Sequence, residues 1–386
     1  MKKSLLICLL VLYLFDSNLR GESNWNIAFT GENQNLYVMK ADGSSLFQVP
    51  FQGLPAFVPQ WSQDGQWLTV SGGVHGGADI YVVKPDGTSL TKVTNIGWAV
   101  FPCFSPDGSQ IIFQRVYEKA YSVNVDGTNL IDLGFYASHT RLSPDGTKIS
   151  YSDWGTFTYN SDAFVYDSIS DISTQITHHE EGGAFNYAVW SPDGTKLALQ
   201  GLNTQTGSWD IWISDADGAN LVDITPDWSV SQEVWPAWSP DGQYLFFNSD
   251  SSGNTDIWKM KVDGTERVNL TNTPNFAEFY PAIGVVPESD PIQEILDFID
   301  ESVADGTLVP AKSGPAGKGQ LGALINMIKT AGELIKAEDI AGACGQLHAA
   351  LGKTDGQKPP PDFVTGPASA ELAQMIQDLM ASLGCN

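Results

Sequence analysis

Carboxylates at a fixed spacing are the first candidates for chemistry in this chain. An Asp-Gly pair follows a serine in five places, and the aspartates are Asp64, Asp107, Asp145, Asp193 and Asp241. Paired carboxylates can act as a general acid and base or bind a cation. Turns explain them more simply, because Asp caps its own backbone and Gly adopts the left-handed conformation that tight turns need. A catalytic pair would not recur once per repeat, so we interpret all five as structural turn residues.

Other catalytic patterns are missing from the sequence. It contains neither a G-x-S-x-G nucleophile elbow nor the H-E-x-x-H spacing of a metal site. Four of its five histidines fall in the repeats, in different copies apart from the adjacent pair His178 and His179, and their spacing gives no reason to expect convergence. We therefore predict no catalytic residue, no metal and no cofactor.

The turns belong to a repeat of roughly 40 to 50 residues, a length typical of propeller blades. In the copy over residues 236–271, alternating apolar and polar positions predict four short strands. These are 236–239, 243–249, 256–262 and 267–271. Five complete copies are visible, and residues 26–50 add three more strands. Residues 280–283 repeat the start of a copy, so the last strand completes the blade that the first three begin. The sequence predicts an all-β, six-bladed propeller over residues 24–286.

Two motifs within the repeat carry a family resemblance. The Trp-Ser-Pro-Asp-Gly turns at 190–194 and 238–242 resemble those of TolB-type propellers, which are built from PD40 or WD40-like repeats. The Asp-Ile-Tyr or Asp-Ile-Trp that opens the third strand, at 79–81, 210–212 and 256–258, resembles the same family. The resemblance implies the propeller fold, and a fold alone does not set function.

Propeller geometry sorts the loops onto two faces. The Asp-Gly turns lie on one, which we call the turn face. The links between blades and the loops between second and third strands lie on the other, the loop-bearing face. Aromatic and imidazole groups on such loops are common ligand contacts. We predict a binding surface there from Trp98, Trp154, Trp228, His75, His139, His178 and Tyr280.

Charge and the N-terminus limit the partners and the compartment. With 45 acidic and 20 basic residues, the formal net charge is −25, which argues against nucleic acid as a partner. Lys2 and Lys3 precede an apolar stretch at 5–15, which predicts a signal peptide over residues 1–23. We therefore expect an exported protein, periplasmic or extracellular, with no integral membrane span after cleavage.

After residue 286 the hydrophobic period changes from two to 3.6. Ile292, Ile295, Leu296 and Ile299 form one helical stripe, and further periodic segments predict two helices broken near 338–339 and a fourth after Pro367. Residues 312–320 and 354–367 read as loops. The segment 287–386 is thus predicted to be an α-helical module, in which Cys344 and Cys385 are the natural disulfide pair. At the level of pattern it resembles FIMAH-type modules.

These observations lead to one main hypothesis and two alternatives. The main hypothesis is a secreted or periplasmic, non-catalytic scaffold, monomeric, that binds a protein or a glycan on the loop-bearing face. One alternative is a propeller enzyme acting on polysaccharide as a lyase or hydrolase, possibly metal-assisted, through His75, His139 or His178. The other is a structural envelope protein.

Overall fold

The computed structural model describes residues 25–74, 77–116, 118–153, 161–179, 183–226, 231–285, 291–354 and 363–385. They divide into two compact units, one up to residue 287 and one from residue 288. No helix among these residues has the length and apolar character needed to cross a membrane.

The first unit consists of six four-stranded antiparallel sheets. In chain order, its first eleven strands are β1 (Trp25–Gly31), β2 (Leu36–Lys40), β3 (Phe47–Gln48), β4 (Ala56–Trp61), β5 (Leu68–Gly72), β6 (Asp79–Val83), β7 (Thr91–Lys92), β8 (Ala99–Phe104), β9 (Gln110–Arg115), β10 (Lys119–Asn124) and β11 (Ile131–Tyr136). The next thirteen are β12 (Ser138–Leu142), β13 (Lys148–Ser152), β14 (Ala163–Asp167), β15 (Ile172–Gln175), β16 (Phe185–Trp190), β17 (Lys196–Leu202), β18 (Trp209–Asp215), β19 (Val222–Asp223), β20 (Glu233–Trp238), β21 (Tyr244–Ser249), β22 (Asp256–Lys261), β23 (Val268–Asn269) and β24 (Glu278–Val285).

The ring closes through the last strand of the unit. β24 pairs antiparallel with β1, from Trp25 opposite Val285 to Gly31 opposite Glu278, and so becomes the inner strand of the blade formed by β1, β2 and β3. The other five blades are consecutive in sequence, and β4, β8, β12, β16 and β20 are their inner strands. The predicted fold, a six-bladed propeller followed by a helical region, is confirmed.

Strand limits differ from the sequence prediction at both edges of a blade. In the copy predicted from 236, the inner strand begins three residues earlier, at Glu233. A bulge between Val234 and Ala237 interrupts the alternation, so a period-two pattern cannot detect the start of the strand. The outer strand shrinks to Val268–Asn269, because an edge strand pairs on one side only and Val268 is half exposed.

Tryptophans at the ends of three inner strands tie neighbouring blades together. The indole Nε1 of Trp61 donates to the carbonyl of Ala282 at 3.1 Å, and that of Trp238 donates to the carbonyl of Val189 at 3.1 Å. Trp190 donates to the carbonyl of Arg141 at 3.2 Å. Each ring therefore fills the space between blades and satisfies a main-chain oxygen of the preceding blade.

The second unit contains four helices, α1 (Pro291–Ala304), α2 (Gly314–Lys336), α3 (Ile340–Leu351) and α4 (Ser369–Ser382). Two short strands, β25 (Val309–Pro310) and β26 (Val364–Thr365), pair with each other. The apolar stripe of α1 is buried against the other helices, with Ile299 fully inaccessible.

The predicted loop at 312–320 is wrong for most of its length, because α2 begins at Gly314. Pro315 favours a helix start, and a Cβ at Gly317 would lie 1.8 Å from the carbonyl oxygen of Lys312. The glycine is there for close packing, not for a flexible turn. Of the second predicted loop, residues 355–362 lie outside the described part of the chain.

Replacing an inter-blade indole should weaken the propeller. In Trp238→Phe the Val189 carbonyl loses its donor inside the protein, so we expect the free energy of unfolding to fall by about 1–3 kcal/mol. Chemical denaturation monitored by far-UV circular dichroism measures this value. Tyr136→Phe, on an exposed outer strand, is the control. An unchanged midpoint for Trp238→Phe would show that the bond contributes nothing.

The structure joins Cys344 in α3 to Cys385, which follows α4. This bridge closes a separation of 41 residues and restricts the unfolded chain. In Cys344→Ser/Cys385→Ser, we expect the helical unit to lose about 2–4 kcal/mol of stability. Wild type should show the same loss on reduction, and the double variant should not respond to reductant. A reductant effect of equal size in both proteins would contradict the assignment.

Candidate functional site

The five turn aspartates share one hydrogen-bond pattern. At Asp145, the hydroxyl of Ser143 donates to Oδ1 at 2.5 Å, and the main-chain N–H of Thr147 donates to the same oxygen at 3.0 Å. Asp64, Asp107, Asp193 and Asp241 accept the equivalent two bonds. The hydrogen bond from the preceding serine is the main cause that lowers the pKa of Asp107, Asp145 and Asp193. These carboxylates hold their own turns.

All six inner strands carry a left-handed residue at one equivalent position. The residues are Val58, Phe101, His139, Tyr187, Trp235 and Tyr280, with φ between 51° and 59°. In the repeats, the position lies four residues before the turn serine, within the bulge of each inner strand. The left-handed conformation costs a non-glycine residue about 1–3 kcal/mol, and it persists only where the surrounding structure enforces it.

Side-chain amides of neighbouring blades support three of these bulges. The main-chain N–H of Trp235 donates to Oε1 of Gln200 at 2.9 Å, and that of Tyr280 donates to Oδ1 of Asn248 at 3.0 Å. Gln114 accepts from His139 in the same way. The equivalent positions in the other blades hold shorter side chains, Thr30, Ser71 and Ser152, whose buried hydroxyls have no partner among the described residues.

Five of the left-handed residues meet on the axis as an aromatic layer, which consists of Phe101, His139, Tyr187, Trp235 and Tyr280. Phe101 lies 4.4 Å from His139, 6.2 Å from Tyr187 and 6.4 Å from Tyr280, measured between ring centroids. Trp235 lies 4.2 Å from Tyr280. Because these contacts span blades that are not adjacent, the layer fills the channel at this level. All but Tyr187 keep part of their surface exposed.

Burial gives the polar members of the layer unusual proton affinities. Desolvation, reinforced by the charge of Arg141, lowers the pKa of His139 to about 3. Its Nδ1 atom is buried without a partner among the described residues. Burial raises the pKa of Tyr280 to about 12. Both side chains are therefore neutral at physiological pH, and the layer presents rings without charge.

Buried aspartates at the start of third strands hold the links around this layer. Asp79 Oδ1 accepts hydrogen bonds from the main-chain N–H groups of Ile96 at 2.9 Å and Gly97 at 3.1 Å. This fixes the link that carries Trp98, whose side chain is 39% exposed. Asp162 accepts from the main-chain N–H of His179 and contacts Nδ1 of the same ring at 2.8 Å. These two buried aspartates thus hold the links that follow their blades.

The predicted binding residues do not form one cluster. His139 and Tyr280 lie within inner strands, in the aromatic layer. The sequence predicts both on the loop-bearing face, with residue 280 at the start of the last strand. Trp98 lies on its link, and exposed His178 lines a separate cavity of about 390 Å³. His75, Trp154 and Trp228 lie outside the described residues. In the described part of the chain, no three His, Cys, Asp or Glu side chains are grouped to hold a metal ion.

Phe101 and Trp235 are central members of the layer that are absent from the predicted set. The signal was present in the sequence, because aligning the repeats on the turn serine places a bulky side chain four residues earlier in each copy. Strand alternation alone does not reveal it, because a side chain within a strand is expected to be part of the core.

Two inner strands begin with buried glutamates on this same face. Burial raises the pKa of Glu233 to about 7, and the Asp210 and Asp250 carboxylates add to the shift. Burial also raises the pKa of Glu278 to about 7, with Asp256 adding to it. Glu233 accepts a hydrogen bond from Ser249 at 2.8 Å.

The architecture defines the class as a six-bladed β-propeller with a filled channel. Residues 126–282 match the family model described as PD40, TolB beta propeller domain. This segment of the propeller thus matches the TolB, PD40 type that the sequence motifs resemble. A search of curated protein sequences finds no match.

Solved structures share the fold. The chain is similar to TolB from Acinetobacter baumannii over 71% of its length and 70% of that chain, with a TM-score of 0.60 and 19% identity. The chain is also similar to a chain of the Nidogen/Laminin Complex. The match covers 67% of this chain and 98% of that chain, with a TM-score of 0.53 and 9% identity. A match to the tricorn protease covers 64% of this chain and 26% of that chain, with a TM-score of 0.50 and 14% identity. At these identities the likeness concerns the fold alone.

The buried glutamates predict a pH dependence of stability. Between their ordinary pKa of 4.5 and the folded value of about 7, the folded state holds protons that the unfolded state releases. Stability should therefore fall as pH rises through this window. Because glutamine stays neutral, Glu233→Gln/Glu278→Gln should be more stable than wild type at pH 8, by about 1–3 kcal/mol, and the difference should shrink as pH falls and vanish below the ordinary glutamate pKa of 4.5.

Urea denaturation across this pH range measures the difference between the two proteins. His139, with its lowered pKa, contributes the opposite slope in both, so it cancels. A difference that does not change with pH would contradict the assignment.

Proposed function

We propose that this chain is a non-catalytic binding scaffold that works outside the cytoplasm and holds a protein or glycan ligand on the loop-bearing face of its propeller. The aromatic layer carries the proposal. It places neutral rings from five blades on the axis, four of them partly exposed. Strained bulges and buried amides fix these rings before any ligand arrives, which lowers the ordering cost of binding.

Ring chemistry and charge limit the ligand. Aromatic faces favour apolar side chains, sugars and cations, and Trp and Tyr dominate binding energy in many interfaces. The formal net charge of −25 disfavours strongly acidic ligands. A neutral or basic protein surface, or a neutral glycan, suits both properties. The predicted signal peptide and the Cys344–Cys385 bridge support an oxidising compartment.

The polysaccharide-enzyme alternative needs an acid, a base or a metal at one centre. His139 is neutral and its ring neighbours are Phe101 and Tyr187, while His178 lines a different cavity. These two imidazoles therefore do not share a centre. The structural-envelope alternative predicts no saturable ligand, so a binding measurement distinguishes it from the scaffold.

A binding experiment with matched variants tests the scaffold. The purified chain is first applied to a glycan array. It is then immobilised and used to capture ligands from extracts of envelope and secreted proteins. The affinity of the chain for each recovered ligand is then measured. We expect Trp98→Ala and Trp235→Ala to weaken it at least tenfold, which corresponds to about 1.4 kcal/mol. Tyr136→Ala, exposed on an outer strand, should leave it unchanged.

Thermal melting of each variant separates lost binding from lost folding. Equal affinity for all variants would rule out the loop-bearing face, and turnover of an oligosaccharide would favour the enzyme. If no saturable ligand is found, the structural alternative gains.

A further inference from the structure

The channel contains a second space, on the turn face of the aromatic layer. It is a cavity of about 310 Å³ lined by the ends of all six inner strands. Gln60, Cys103, Arg141, Val189, Ala237 and Ala282 occupy one equivalent position in its lining, two residues beyond the left-handed position in each strand. We call this space the channel cavity. It does not depend on the function proposed for the opposite face.

Arg141 is the one charged residue among those that line the channel cavity. No aspartate or glutamate of the described residues belongs to this lining, although acidic residues outnumber basic ones by 45 to 20 in the chain. The remaining lining is apolar or neutral. It includes the three indoles that tie the blades together and the amide of Gln60. An arginine is thus isolated in the channel of the propeller, in a chain whose formal net charge is −25.

Among the residues that the structure describes, the hydrogen-bond and ring partners of the Arg141 guanidinium are neutral. Its Nη1 donates to the carbonyl of Thr140 at 2.9 Å and its Nη2 donates to the Tyr187 hydroxyl at 2.8 Å. The Tyr187 ring lies 4.9 Å from its central carbon. Its Nε is buried without a hydrogen-bond partner among the described residues. The side chain is 6% exposed, and no described carboxylate forms an ion pair with it.

A buried cation without a counter-charge is costly, and dipoles compensate it only in part. An arginine has five N–H donors in a planar fork that matches a carboxylate. Since two hydrogen bonds are made, three donors remain. We propose that the channel cavity binds a monoanionic carboxylate whose oxygens accept hydrogen bonds from Arg141.

Shape and charge specify the ligand further. The indoles of Trp61, Trp190 and Trp238 line the cavity, so the carboxylate should be attached to an apolar or aromatic group. The turn aspartates on this face, among them Asp107 and Asp145 with lowered pKa values, are ionised at neutral pH. Their field opposes anions of higher charge, such as phosphate and sulfate. A small organic acid and the C-terminal carboxylate of a peptide share the required chemistry.

Calorimetric titration of the full chain with benzoate tests the site. We expect one saturable site for benzoate and no binding of benzamide, its neutral isostere, or of phosphate at equal concentration. Arg141→Gln should weaken benzoate binding at least tenfold, and Arg141→Lys should weaken it less. Arg267→Gln removes an arginine near another turn of this face and should have no effect. Equal binding of benzamide, tighter binding of phosphate, or an unaffected Arg141→Gln would overturn the proposal.

A second measurement needs no variant, in case Arg141→Gln does not fold. Crystals of the wild-type chain with 4-bromobenzoate should show anomalous bromine density inside the channel cavity, with the carboxylate at hydrogen-bond distance from Arg141. Density only elsewhere, or none, would overturn the site. Comparing the affinity for N-acetylphenylalanine with that for benzoate distinguishes the two sources of the carboxylate, a peptide C-terminus and a small organic acid. If it binds more tightly than benzoate, the site takes a peptide C-terminus, and if it binds more weakly, the site takes a small acid.

Discussion

Ring closure by β24 is the constraint on which the rest of this structure depends. Because β24 pairs with β1, six inner strands must converge on one axis, and their side chains must share one narrow channel. The bulge in each strand follows from this crowding, since it changes the direction of one side chain per blade. The result is an aromatic layer on the axis, with a cavity on its turn face and the loop-bearing face on the other side.

Aspartates on both faces hold nearby main chain through hydrogen bonds, but they hold different segments on each face. On the turn face, the five aspartates that follow the turn serines accept hydrogen bonds from their own turns and are therefore structural. On the loop-bearing face, buried aspartates such as Asp79 hold the links, which leaves exposed rings such as Trp98 in fixed positions. Arg141 connects the two sides, because it lines the cavity and donates to Tyr187 in the layer. A ligand that bound on either side would therefore meet groups that are already held by hydrogen bonds.

The fold could be predicted because its signals are local and repeated. Turn chemistry and strand alternation are set by neighbouring residues, and five copies of the same turn reinforce one another. The site could not be predicted equally well. His139 was predicted to lie in a loop, because the bulge that carries it breaks the period-two pattern. Arg141 was not singled out at all, because its isolation depends on which residues the other five strands bring to the axis. Residues from different blades meet on the axis without any fixed separation in the sequence, so a spacing pattern does not reveal which of them are neighbours.

The central claim is that a ligand binds at the middle of the loop-bearing face. The most direct measurement places a photo-crosslinking amino acid at position 95, which is exposed on the link that carries Trp98, and separately at position 136 on an outer strand, in the full chain within its native cells. The account predicts a discrete crosslinked adduct from position 95 that is absent from position 136, and its loss when Trp235→Ala is added. The same adducts from both positions, or an adduct that persists in Trp235→Ala, would contradict it.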